Sequence, residues 1–168
     1  MSLAALGGDP LMAPSIRRLV RAATILRRDF WDVLDSDAVF IYQSTVYPLI
    51  LVAGIQMWCT QVPRALDVAL QDNVQDVWLA LTIIGPLTTL IGVLWHERDQ
   101  YASALIQMSG NVMAGTVFAT YILAVVDQNW AKGVFAPFVF AGLALWSLLL
   151  AVRDFRKTLR VERQIGKR

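Results

Sequence analysis

VWLALTIIGPLTTLIGVLWHERDQYASALIQMSGNVMAGTVFATYILAVV, residues 77–126, decides the architecture of this chain. Two apolar runs, 77–95 and 101–126, flank a turn that holds His96, Glu97, Arg98 and Asp99. A hydrocarbon layer roughly 30 Å thick takes about 20 apolar residues of helix to cross, so each run is long enough. Working outward, residues 39–60 and 133–152 form two further runs of the same kind, and none of the four holds Asp, Glu, Lys, Arg or His. The whole chain of 168 residues is 57% hydrophobic and 17% charged, whereas a soluble domain is about a quarter charged. Four helices apolar all round leave too little polar surface for a soluble fold. The expected fold is an all-α integral membrane protein whose four transmembrane helices form a bundle. An amphipathic interfacial segment (1–38) precedes the membrane domain (39–152), and a basic cytoplasmic helical extension (153–168) follows it.

The runs are continuous and too long for barrel strands, which alternate in polarity over about ten residues. The N-terminus shows no apolar stretch followed by a small-residue cleavage site, so the first span is expected to be retained. Cys59 is the sole cysteine, which excludes a disulfide framework, a redox pair and a cysteine metal cluster. Sidedness follows from Lys and Arg near the span ends. Arg17, Arg18, Arg21, Arg27, Arg28 and Arg98 and the seven basic residues from Arg153 to Arg168 fall on one side, against Arg64 and Lys132 on the other. Both termini and the 96–100 turn are therefore expected in the cytoplasm of a bacterial host. That turn begins like the zinc motif His-Glu-x-x-His, but Gln100 stands where the second ligand belongs. A solvated turn is the simpler reading.

Residues 15–40 repeat apolar side chains (Ile16, Leu19, Val20, Ala23, Leu26, Phe30, Leu34) at helical steps, with Arg17, Arg18, Arg21 and Arg28 largely off that stripe. A basic amphipathic helix suits the headgroup region, where each Lys or Arg near an anionic leaflet contributes about 1 kcal/mol. Asp35, Ser36 and Asp37 are capping candidates for the first span. Arg153, Arg156, Lys157 and Arg160 recur at helical spacing in the C-terminal segment. Together with Arg98 and the N-terminal arginines, they are the expected topology and anionic-lipid contacts. No base-reading motif accompanies them, so no nucleic acid is expected.

Thr82, Gly85, Thr89 and Gly92 line one narrow face of the second span; Ser103, Gln107, Gly110, Asn111 and Ala114 line a comparable face of the third. Such faces let membrane helices approach closely, and Gln or Asn there hydrogen-bonds another helix. They serve either the packing of one bundle or a homo-oligomer around a polar path. Pro48, Pro86 and Pro137 interrupt spans, which bundles tolerate. Trp58, Trp78, Trp95 and Trp130 lie near span boundaries, as an aromatic belt requires; Trp146 lies inside the fourth span. With no ionisable group expected in the membrane, ion-coupled transport of the multidrug-exporter kind is disfavoured. Ser109 lacks an opposing histidine, no carboxylate pair lies within the spans and no phosphate-binding glycine loop is present. No enzyme activity, cofactor or metal is expected.

From residue 76 onward the chain resembles the small four-span membrane proteins that tailed phages of actinobacteria encode near their tail and lysis genes. The resemblance rests on Trp78, Gly85, Gly92, Arg98, Gly110, Tyr121 and the Arg-rich segment 153–163. Pro86 and the threonines interrupt the glycine run of that pattern, and the basic N-terminal segment is longer. Members of that group are labelled membrane proteins or holins. The resemblance implies a holin-like protein that self-associates in the host cytoplasmic membrane and permeabilises it. The alternatives are a non-enzymatic accessory or binding subunit, acting in superinfection exclusion or in a larger membrane or virion assembly, and, more weakly, a channel or transporter for a neutral solute.

Overall fold

A computed structural model describes residues 14–34, 37–129 and 135–165. The cap candidates Asp35 and Ser36, the belt position Trp130, the loop residue Lys132, the first two residues of the expected fourth span and the surroundings of Arg17, Arg18 and Arg21 lie outside the described residues. Every secondary-structure element among the described residues is a helix: α1 (Pro14–Leu34), α2 (Asp37–Cys59), α3 (Arg64–Ala69), α4 (Asp72–Leu94), α5 (Gln100–Asn129) and α6 (Phe135–Ile165). Four of them are long and apolar enough to cross a membrane: Val39–Cys59, Asp72–Leu94, Gln100–Asp127 and Phe135–Gln164.

The chain divides into two compact units, the first ending at Ser36. In that first unit α1 opens on Pro14, a residue suited to the first helical position because its missing N–H has no partner there anyway. Arg27 is exposed, and Arg28 lies 3.9 Å from its neighbour Asp29.

In the second unit α5 is the central helix, packed against α4 and α6, while α2 lies on α4. The α4–α5 seam is tight because both sides are small. A Cβ added at Gly110 would sit 2.7 Å from the Gly85 carbonyl oxygen, and one at Gly92 would sit 2.9 Å from the Gln107 nitrogen. Backbones at that separation gain the dispersion that holds membrane helices together when lipid is as apolar as the core. Pro86 sits inside α4 without ending it. Pro137 is the third described residue of α6 and is buried.

Polarity is inverted relative to a soluble protein. Gln43, Thr82, Ser103, Asn111, Arg153 and Asp154 are buried, while Phe40, Leu49, Ile84, Leu87, Phe138 and Leu145 are exposed. Contiguous apolar surface of this kind marks contact with lipid or another protein.

The unexpected element is α3. Its Leu66 is fully buried against Trp78, Leu79, Val117 and Ala124, so the loop after α2 folds back and closes that end of the bundle. Trp78 is not a belt residue here. The helix begins at Asp72, which carries Trp78 a turn and a half inward, and its indole N–H donates to the Val117 carbonyl at 3.0 Å. Trp78→Phe is expected to cost about 1–2 kcal/mol, from a lost hydrogen bond and a partly emptied site. Thermal unfolding in detergent measures it, and an unchanged midpoint would mean that the indole is not docked on α5.

Candidate functional site

The HERDQ turn joins α4 to α5. Asp99 caps α5, its carboxylate accepting from the N–H groups of Tyr101 (2.9 Å) and Ala102 (3.1 Å). The Arg98 guanidinium lies over the Trp95 ring, 5.0 Å from its centroid. His96 and Glu97 are exposed, and no group of three or more metal-ligating side chains occurs among the described residues. The turn is a helix connection.

The chemistry lies one to three turns further in. The Ser103 hydroxyl donates to the Gly92 carbonyl (2.8 Å), and Gln107 Nε2 donates to Ser103 Oγ (3.0 Å). Gln107 Oε1 in turn accepts from Arg153 Nη2 at 3.4 Å. Arg153 pairs with Asp154, with Nη2 2.7 Å and Nε 2.8 Å from Oδ1. The second carboxylate oxygen, Oδ2, accepts from Asn111 Nδ2 at 2.9 Å, and Asn111 Oδ1 accepts from the Tyr47 hydroxyl at 2.5 Å. Seven residues on α4, α5, α6 and α2 thus form one hydrogen-bonded chain, and every link in it is buried.

Depth gives this chain its significance. Tyr47 lies ten residues into α2 from Asp37, which is about 15 Å of helix at 1.5 Å per residue. Gly85, against Gly110 beside Asn111, lies nine residues before the end of α4 at Leu94, or about 14 Å. The Arg153–Asp154 pair bonded to Asn111 is therefore well inside the bundle, and two sequence expectations need correction. The interior of the helix bundle is not free of charge. Arg153 is also not a lipid-surface contact, because it is 5% exposed and ion-paired. The physical reason is that α6 runs unbroken to Ile165. A buried charge is very costly alone, but the pair is neutral and every oxygen of its carboxylate has a donor.

All nine small and polar residues named on the second and third spans are buried: Thr82, Gly85, Thr89 and Gly92 on α4, and Ser103, Gln107, Gly110, Asn111 and Ala114 on α5. Within a single chain Gly85, Thr89 and Gly92 meet α5, Thr82 lies against Gly54 of α2, and Asn111 reaches both α2 and α6. Of the expected basic contacts, Arg156 and Lys157 are partly buried and Arg160 is exposed. Sequence reasoning missed Tyr47, Asp154 and the inward side of Arg153. One signal was available: Ala144, Ser147, Ala151, Asp154 and Thr158 recur at steps of three and four, and all five are buried.

A cavity of about 350 Å³ reaches the network from the α4–α5 turn, with His96, Lys157 and Arg160 around it and Gln107 and Asp154 in its lining. In the other direction Tyr47 packs with Ala114, Phe118 and Ala144, with Ile50 and Phe140 against that cluster. Such an arrangement can hold a polar ligand at one end of the bundle. No protein-family profile, no curated protein and no solved structure matches this chain.

Proposed function

We propose that this protein is a non-enzymatic membrane accessory or binding unit that works as a folded four-helix bundle, with the α4–α5 turn and both termini in the cytoplasm. One observation carries the reading: the nine small and polar residues available for self-association are spent inside one chain, around a neutral charge pair. A holin-like pore built on those faces needs them turned toward other copies. The apolar packing of Ala114, Phe118 and Ala144 around Tyr47 likewise supports a bundle that keeps the membrane sealed. The basic excess on one side favours the cytoplasmic placement of the turn, and Lys157 and Arg160 retain the expected role toward anionic lipid.

Induced expression in a bacterial host tests the reading, with membrane potential and colony survival measured alongside the amount of inserted protein. Polarised, viable cells that hold abundant inserted protein are the expected result. Rapid depolarisation at modest expression would overturn it in favour of the holin-like role, with oligomers formed through the lipid-facing surfaces.

A further inference from the structure

We infer that the cavity beside the α4–α5 turn is a binding site for a phosphate ester of net negative charge, with Lys157, Arg160 and His96 as its cationic and donor side and Gln107 and Ser103 as its neutral depth. The inference refines the binding-unit reading by naming what is bound.

Charge is the first argument. The cavity lining carries Lys157, Arg160 and a single acid, Asp154, and that acid is already neutralised by Arg153 and held by Asn111. Of the carboxylates nearby, Glu162 accepts from the Tyr101 hydroxyl at 3.0 Å and Asp99 caps α5, while Glu97 is exposed on the turn outside the lining. With Asp154 paired to Arg153, the lining itself carries the net positive charge of Lys157 and Arg160. Donor capacity is the second argument. Arg carries five N–H donors and Lys three, so each can keep a protein partner and still reach an anion. Gln100 and Gln164, also in the lining, add amide donors that a phosphate's oxygens can share.

Size and position complete the case. A volume of about 350 Å³ lies at the small end of ligand pockets, which run from roughly 300 to 1,000 Å³, enough for a phosphoglycerol-sized group. The cavity sits where the apolar surface of α6 gives way to its basic end, between exposed Phe155 and exposed Arg160. That is the level at which a lipid phosphate or a soluble phosphate ester meets a membrane protein.

The test uses the full chain purified in detergent, with thermal stabilisation as the readout. Dioctanoyl phosphatidylglycerol, dioctanoyl phosphatidylcholine and glycerol 3-phosphate are each titrated. Saturable stabilisation by phosphatidylglycerol is expected. Lys157→Gln with Arg160→Gln should weaken it about tenfold or more, through the loss of one or two charge-assisted hydrogen bonds. Arg163→Gln, an exposed basic residue one turn further along and outside the cavity lining, should leave it unchanged. Competition by glycerol 3-phosphate would assign the site to soluble phosphates; no competition would assign it to lipid. If the double variant does not fold, Arg160→Gln alone carries the comparison. Non-saturable binding, equal stabilisation by phosphatidylcholine, or an equal loss in Arg163→Gln would overturn the assignment. None of these readouts depends on whether expressing cells stay polarised.

Discussion

Arg153→Leu is expected to destabilise the bundle by about 3–5 kcal/mol, because it leaves a buried carboxylate without its counter-charge. The size of the effect comes from the surroundings. Asp154 is 1% exposed, with Arg153 on one oxygen and the Asn111 amide on the other. Without the guanidinium, the Asn111 amide and the more distant Lys157 are left to hold a buried carboxylate. Asp154→Leu leaves the mirror-image problem on Arg153 and belongs in the same range. The double replacement, Arg153→Leu with Asp154→Leu, removes both charges. It should cost far less than the sum of the singles, since what remains is a pair of amides with lost partners at about 1 kcal/mol each. Equilibrium unfolding in mixed micelles gives all four corners of the cycle. Small and additive single effects would mean that the pair is solvated at a helix end, and the buried network would have to be abandoned.

The sequence pattern makes the four apolar helices legible because span length and the absence of charge are both one-dimensional properties. The expected spans beginning at 39, 77, 101 and 133 all fall on helices of the structure, although α4 starts earlier, at Asp72, and α6 is described from Phe135. The small-residue faces were visible for the same reason, since a step of three or four residues is written directly in the chain. What stayed hidden is the role of a charge at a span's end. A rule that stops a span at the first ionisable residue ends the fourth one at Val152, and so it assigns Arg153 to water. The structure instead continues α6 and turns Asp154 inward, along the face already set by Ala144, Ser147 and Ala151. Two adjacent opposite charges can be buried together when a neighbouring helix offers an amide, and that condition is tertiary: it depends on Asn111, 43 positions away in sequence. The same limit applies to Tyr47, which looks like any aromatic residue in a span until Asn111 is placed opposite it. It applies again to Leu66, whose loop carries no pattern announcing that it folds back onto α5.

Gly110→Ala is expected to unfold the bundle or to weaken it by about 1–3 kcal/mol or more, although Ala is the better helix former. Propensity favours the substitution by up to about 1 kcal/mol, so packing has to outweigh it. The added Cβ would lie 2.7 Å from both the Gly85 carbonyl oxygen and the Thr89 nitrogen, and would press on the Thr89 hydroxyl. The first two neighbours are backbone, which no rotamer change can move aside. Relief requires α4 and α5 to separate, and that stretches the Ser103–Gly92 bond on the same seam. Gly142→Ala is the control, since nothing lies within 4 Å of a Cβ there; it should be neutral or gain up to about 1 kcal/mol. The comparison also separates packing from assembly. If Gly110 served an interface between copies, Gly110→Leu would give a folded protein of smaller oligomeric size on gel filtration, with its unfolding midpoint retained. If Gly110 holds α4 against α5 within one chain, the same variant loses its folded monomer. A folded, well-behaved Gly110→Leu protein would therefore count against the closed bundle and restore the case for a pore assembled through the small-residue faces.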